Sequence, residues 1–438
     1  MNKRLNSEKL DSSLIDLKKK VVLGLSSFQF MAMVRRGLFY TFLSLYLRVT
    51  LELSVTETTL LASLTMIANS TSQTFVWGKI SDKYQARTSL IVIGETIAAF
   101  GYILVYFLHI HLMNTNGLIS AAYSIIVGLS LLEFFWSMSN LGWSALVSDL
   151  TTSKERGRLM SVVSSVGGVG RILGISVSAL LYDWGGEAGG FTSGLLFFFA
   201  SGIMLVSAAL IWYGTSTSEM IYTNTRTKEV AVKENASFSN SYSSRGFYWF
   251  LVSMFVVGLG AFSILQILIF YVELESPIGA SYFDIAMIRN SASFATIVAS
   301  LLAGPLADRI GRKNALGLGF ALAAITPIFY MFAQNAVQMI VINSLSGISR
   351  ALMNVVGYLV ASDLIPPERR GRLFGQYNAV TYISFGLAGT LLGGPIADHL
   401  IGTGLTQASA YVAAFQVASI VSWLGTVIYA SKVKSKRG

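Results

Sequence analysis

Seven ionisable residues interrupt apolar stretches of this chain: Arg35, Arg36, Glu95, Glu133, Arg171, Arg289 and Arg350. A charge at the middle of a bilayer costs about 3 kcal/mol on insertion scales, so each must face water or a partner. A guanidinium held in that way is an anion receptor. A carboxyl beside it, in a poorly hydrated space, can alternate between holding a proton and pairing with the arginine. Helical spacing orients these groups. Gln29, Met33, Arg36, Tyr40 and Ser44 form one stripe, whereas Arg35 shares a face with Phe28, Met31, Phe39 and Phe42; Arg36 is the expected cavity residue of the pair. Glu133, Ser137, Asn140 and Ser144 align, with Trp136 beside them. So do Arg289, Ser293, Thr296 and Ser300, while Arg350 and Asn354 are one turn apart. Lining of a polar cavity and hydrogen bonding between helices both fit this pattern. Arg171 sits among Gly167, Gly168, Gly170 and Gly174, where close helix packing is the alternative. Glu95 is placed either to pair with an arginine or to join Glu133 as a proton site.

There is no cysteine, which excludes disulfides, thiolate metal sites and cysteine nucleophiles. His109, His111 and His399 are the only histidines and lie near expected helix ends. No catalytic residue, metal or cofactor is expected. The glycine-rich stretch around Arg171 lacks the Gly-Lys-Ser/Thr ending of a phosphate-binding loop, so energy must come from a gradient.

These groups need elements that cross a membrane. The 438 residues are 53% hydrophobic and 12% charged. Of 32 Lys and Arg, 26 fall in seven polar stretches, residues 1–20, 78–88, 148–158, 214–246, 303–313, 366–372 and 431–438. Between them lie pairs of apolar segments joined by loops that are almost free of Lys and Arg. Basic loops stay in the cytoplasm, so the alternation predicts twelve crossings of a cell membrane with both termini inside. The net charge of +10 is divided among short caps on one side and forms no continuous face for nucleic acid. Expected spans are 21–47, 58–77, 88–108, 118–147, 159–182, 191–213, 247–272, 282–303, 314–333, 336–362, 373–398 and 408–430. Residues 1–20 and 431–438 are expected to be cytoplasmic ends, and 214–246 a flexible linker between six-helix halves at 21–213 and 247–430. All six prolines lie in the second half, so bends in the first must come from glycine or polar groups.

The halves repeat each other. SDLTTSKERGRL at 148–159 matches SDLIPPERRGRL at 362–373 with an offset of 214, and GKISDKY at 78–84 matches GPLADRI at 304–310 with an offset of 226. Asn140 and Asn354 share the first offset. Duplication with paired loop motifs is the pattern of a transporter built from rocking halves.

The loop Gly304-Pro-Leu-Ala-Asp308-Arg309-Ile-Gly311-Arg312-Lys313, with its twin Gly78-Lys-Ile-Ser-Asp82-Lys83-Tyr84, resembles the loop signature of the major facilitator superfamily. The twin departs after Lys83, with Gln85-Ala86-Arg87 where glycine and two basic residues are usual. The resemblance covers essentially the whole chain. It implies an all-α polytopic fold with two pseudo-symmetric six-helix bundles around a central cavity. It also implies that Gly78, Asp82, Gly304, Asp308, Arg309, Gly311 and Arg312 help lock one face closed. Asp149, Arg156 and Arg158, with Asp363, Arg370 and Arg372, are the expected second latch; an orienting role for the arginines is the alternative. The helix-5 antiporter signature of the family is poorly matched by Gly170-Arg171. Excess arginine over carboxylate in the expected cavity favours an anionic or polyhydroxylated small-molecule substrate. Arg36, Tyr40, Asn140, Arg171, Arg289, Arg350 and Asn354 would line the path, and Glu133 or Glu95 would carry the proton. Symport is the first expectation and proton-coupled efflux the second. The other expected partners are protons and the lipid bilayer, with no nucleic acid, and the chain is expected to act as a monomer.

Overall fold

The computed structural model describes residues 2–84, 87–150, 153–226, 244–366 and 370–433. The described chain is helical and crosses from end to end twelve times. The passes of the first half are α1 (Asn2–Leu45), α2 (Val55–Ser72, extended to Tyr84), α3 (Arg87–Asn116), α4 (Leu118–Leu150), α5 (Ser153–Leu181) and α6 (Leu195–Arg226). Those of the second half are α7 (Ser244–Ser263, resuming over Ile267–Glu273), α8 (Tyr282–Ile310), α9 (Arg312–Tyr330), α10 (Ala336–Leu364), α11 (Arg370–Ala388, extended to Gly402) and α12 (Gln407–Lys432). Among the described residues nine helices are long and apolar enough to cross a membrane. The passes that fall short are α1, which carries Arg35 and Arg36, the Ser/Thr-rich α2, and α9, which is 19 residues long and opens on Arg312-Lys313. The segment read as a linker, 214–246, begins as the continuation of α6 to Arg226, and residues 227–243 lie outside the described residues.

Local signals set the starts. Ser54 and Ser281 each form a capping box, with Glu57 and Asp284 respectively, and Asn335 and Thr406 cap α10 and α12. These side chains satisfy amide groups that have no partner within the helix. The proline-free first half bends at two π turns, Tyr46–Thr50 and Gln73–Trp77. A third π turn, Gly389–Gly393, interrupts α11. Such one-turn insertions bend a helix without proline.

Five helix pairs in one half have counterparts in the other. α1 packs on α5 and α6, α3 on α4 and α6, and α2 on α4; α7 packs on α11 and α12, α9 on α10 and α12, and α8 on α10. The α1–α5 contact depends on glycine. A Cβ on Gly174 would collide with the Val34 carbonyl, and one on Gly170 would lie 2.6 Å from the Phe30 carbonyl oxygen. Small residues at such contacts let helix backbones touch where lipid offers no hydrophobic drive.

The halves meet through α5 against α8 and α2 against α11. At the end away from the basic loops one apolar core draws on both halves, from Phe42 and Tyr182 to Phe270 and Phe415. Towards the basic loops each half has its own core, one around Phe250 and Phe320, the other around Trp143 and Val163. Among the described residues the halves are therefore joined at one end and divided at the other.

Candidate functional site

In the first half, α1, α2, α3 and α4 bring eight polar or aromatic side chains together. The guanidinium carbons of Arg35 and Arg36 lie 5.3 and 4.6 Å from the ring centre of Trp136. The indole Nε1 of Trp136 donates to Glu95 at 2.7 Å. Arg35 donates to the Tyr102 hydroxyl at 2.6 Å, which donates to that of Tyr40 at 3.2 Å, and Tyr40 reaches Glu133 at 3.5 Å. Asn69 donates to the other Glu133 oxygen at 2.9 Å. Arg35 and Glu95 are each 1% exposed, yet Nε and Nη2 of Arg35 have no hydrogen-bond partner. The charges of Glu95 and Glu133 both act on Arg35, and that of Arg36 acts on Glu95. Two cations and two carboxyl groups thus form a balanced set around one indole.

Helical spacing assigned Arg35 to an aromatic face, and it does lie among aromatics. What spacing missed is that those rings are Tyr102 and Trp136, which bind a cation by hydrogen bond and by ring face. Tyr102 and Asn69 stand among apolar or Ser/Thr-rich neighbours and carry no sequence signal of their own.

The second half is different. Arg289 makes one long hydrogen bond, 3.4 Å to the Leu265 carbonyl, and Arg350 makes no hydrogen bond or ion pair to a described residue. A cavity of about 480 Å³, including its solvent-open part, is walled by α7, α9 and α10 and lined by Arg350, Tyr330, Ser346 and Thr326 among apolar side chains. Tyr330 is turned to Asn343, to which its hydroxyl donates at 2.7 Å. Arg171 comes from α5 on the opposite half and feels the like charges of Arg289, Arg350 and Arg36. Among the described residues no carboxylate acts on Arg171, Arg289 or Arg350; their electrostatic neighbours are each other, Arg36 and Tyr330. Asn140 and Asn354 sit in separate halves, the first half-buried beneath the Ser144 hydroxyl and the second exposed.

The seam at the joined end is polar as well as aromatic. Asp398, in the extension of α11, accepts from the backbone N–H groups of Val55 and Thr56 at 2.9 and 2.7 Å, capping α2 from the other half. Thr390 bonds to Ser63 at 2.6 Å and lies 3.0 Å from Thr59. On the other side of the seam Asn290 donates to Ser176 at 2.9 Å, and Tyr282 packs against Tyr182 and Phe42.

Of the expected gate residues, Gly311 turns the chain between α8 and α9 at φ 86°, a conformation that favours glycine. Gly304 has open space around its Cβ position, whereas a Cβ on Gly78 would lie 2.9 Å from the Gln73 carbonyl oxygen of the π turn. Arg312 pairs with Asp363 at 2.5 Å, so the loop motif of α8 and the end of α10 join within one half. Asp308 and Arg309 are exposed. The side chains of Asp82, Asp149, Arg156, Arg158, Arg370 and Arg372 lie outside what the structure describes.

The profile of the Major Facilitator Superfamily matches residues 25–288 and 269–437. Multidrug resistance protein 3 of Bacillus subtilis (strain 168) is 29% identical over 120 residues, 27% of this chain and 23% of that protein. A probable L-galactonate transporter of Escherichia coli (strain K12) is 29% identical over 119 residues, 27% of this chain and 26% of its own length. The matched stretches thus span about a quarter of these curated relatives. A point mutant of the nucleoside transporter NupG superposes over 94% of this chain and 100% of its own, with a TM-score of 0.73 at 14% identity, a likeness of fold. With its twelve paired helices, its two halves and a family profile spanning both, this chain belongs to the Major Facilitator Superfamily.

Proposed function

We propose that the protein is a proton-coupled secondary active transporter of a small anionic or polyhydroxylated metabolite, working by alternating access as a monomer. The observation that carries this reading is the set of Arg171, Arg289 and Arg350, drawn from both halves and, among the described residues, faced by no carboxylate. Cations held at membrane depth without a protein counter-charge are suited to a substrate that supplies it. In this reading the basic face is cytoplasmic in the cell membrane, and the joined end is the closed outer gate of an inward-facing state. Rocking the halves would part the Asp398, Thr390 and Asn290 contacts and bring the divided cores together. The chain then acts as a carrier rather than an enzyme, driven by a gradient and needing no cofactor.

Glu133 is the proposed proton site, with Glu95 beside it. Tyr40 and Asn69 hold the Glu133 carboxyl in place, and Arg35 offers it a counter-charge when the proton leaves. Glu133→Gln in proteoliposomes should abolish uptake driven by a pH gradient while leaving substrate exchange at equal pH. If pH-driven uptake survives in the variant, Glu133 does not carry the proton.

The likeness to a multidrug resistance protein supports a second reading, proton-coupled efflux of drugs. A thermal-shift screen of sugars, organic anions and cationic drugs separates the two, because a ligand that binds only the folded protein raises its melting temperature. Stabilisation by cationic drugs alone would establish the second reading and remove the first.

A further inference from the structure

We infer that the substrate carries two anionic groups at opposite ends, one bound from each half. This rests on the carrier reading above and adds the charge and shape of what is carried. Helix contacts place Arg171 and Arg350 near one level, with Arg289 more than a turn away along α8. α5 meets α8 where Asn290 donates to Ser176 at 2.9 Å and where a Cβ on Gly168 would lie 2.5 Å from Ile297. α8 meets α10 where Thr296 donates to the Gly347 carbonyl at 3.0 Å and Asn343 to that of Ile288 at 2.5 Å. α1 meets α5 where Gly37 packs against the Arg171 carbonyl, next to Arg36. Arg171 follows Gly168 by one turn, Arg289 precedes Asn290, and Arg350 follows Gly347 by one turn. Arg171, of the first half, therefore stands level with Arg350 of the second, and the charges of Arg350 and Arg289 both act on it.

Charge counting then selects the ligand. Arg36 has Glu95 and the Trp136 ring to answer it, but among the described residues Arg171, Arg289 and Arg350 meet no carboxylate, only each other, Arg36, Tyr330 and the Leu265 carbonyl. A monoanion leaves two of these three cations unanswered and engages one half more than the other. A substrate with an anionic group at each end answers two and ties the halves together. That differential contact is what a ligand needs to drive closure, since it shifts a conformational equilibrium only by its differential affinity for the two states.

The test is a charge ladder on one carbon skeleton: galactitol, galactonate, galactarate and galactose 6-phosphate. Each binds to the purified full-length protein at one fixed ionic strength, so that screening is constant. Galactarate should bind about tenfold tighter than galactonate, the equivalent of one additional ion contact. Arg171→Gln should collapse that ratio, and Arg171→Lys, which keeps the charge, should restore it. Melting without ligand reports whether each variant folds, and Arg350→Gln is the second charge removal should Arg171→Gln not fold. Equal affinity for galactonate and galactarate overturns the two-charge inference and leaves the anion reading standing. Tighter binding of galactose 6-phosphate, with both charges at one end, overturns the placement of one group on each half. Binding of galactitol as tight as that of its acids overturns the anion reading itself, and absence of binding along the whole ladder overturns the inference.

Discussion

Arg35 and Arg36 share the face of Trp136, with Glu95 and Glu133 acting on Arg35, and Arg35 bonded to Tyr102. In the other half, among the described residues, Arg289 has one 3.4 Å bond, to the Leu265 carbonyl, Arg350 has none, and no carboxylate acts on either. The two bundles share helix pairing and loop motifs, so duplication alone does not explain the difference. A balanced set is a structural asset and can cycle a proton internally. An unbalanced set is a structural burden, tolerable where a ligand or water answers it. The first half answers the charges of its α1–α4 cluster internally, whereas the second leaves Arg289 and Arg350 without a described carboxylate.

Removing charge should therefore act with opposite sign on the two sides. Arg35→Met leaves two carboxyl groups with Arg36 as the one remaining cation of the set and takes a partner from the Tyr102 hydroxyl, and loss of one member of a buried charged set costs about 3–5 kcal/mol. Arg350→Gln instead relieves repulsion from Arg289, so melting of the ligand-free protein should be unchanged or higher while transport is lost. Thermal unfolding of both variants in one detergent checks the pair. Equal destabilisation of both would break the distinction between the halves.

How far the sequence foretold this depends on which signal carried each residue. The twelve passes were legible because hydropathy and the Lys/Arg alternation act over twenty residues at a time. Arg36, Glu133 and Arg350 were legible because a charge inside an apolar run stands out. The partners of Arg35 were not. Tyr102 reads as an ordinary membrane aromatic and Trp136 as a neighbour of the Glu133 stripe, and their cation-binding use appears only when α3 and α4 pack against α1. Asp398 is only the last residue of the expected span 373–398; its role as a cap depends on α2 of the other half, with Thr56 342 residues away along the chain. Contacts between halves leave no local pattern, because neither partner's neighbours need change to make them.

The joined end offers a second, smaller way to sharpen the comparison, since it too has charge held by one half and used by the other. Asp398→Asn keeps the shape and removes the charge that faces the positive end of α2. An anion at such a helix terminus is worth about 0.3–1 kcal/mol when exposed and up to about 2 kcal/mol when partly buried. The variant should open the seam several-fold more often. The chain has no cysteine, so Thr59→Cys with Thr390→Cys gives a clean reporter of closure. Disulfide formation between that pair should slow in the Asp398→Asn background, and an unchanged rate would show that the cap does not hold the seam.

Glu57 occupies the same helix start but serves only its own half, and its effect should be the smallest. The Ser54 backbone N–H, with help from the Tyr123 and Ser54 hydroxyls, holds its carboxyl below the ordinary value of 4.5. A carboxyl whose value is lowered on folding stabilises the folded state at neutral pH, and that contribution is lost as pH falls below about 4.5 and through the folded value. Glu57→Gln should therefore lower the melting temperature slightly at pH 7 and have no effect well below pH 4. Unlike Asp398→Asn, it should leave the Thr59–Thr390 reporter rate unchanged at neutral pH, because the bonds it weakens do not cross the seam. If both variants slow the reporter equally, the α2 terminus acts as one unit and the division between charge that serves one half and charge that joins both fails there.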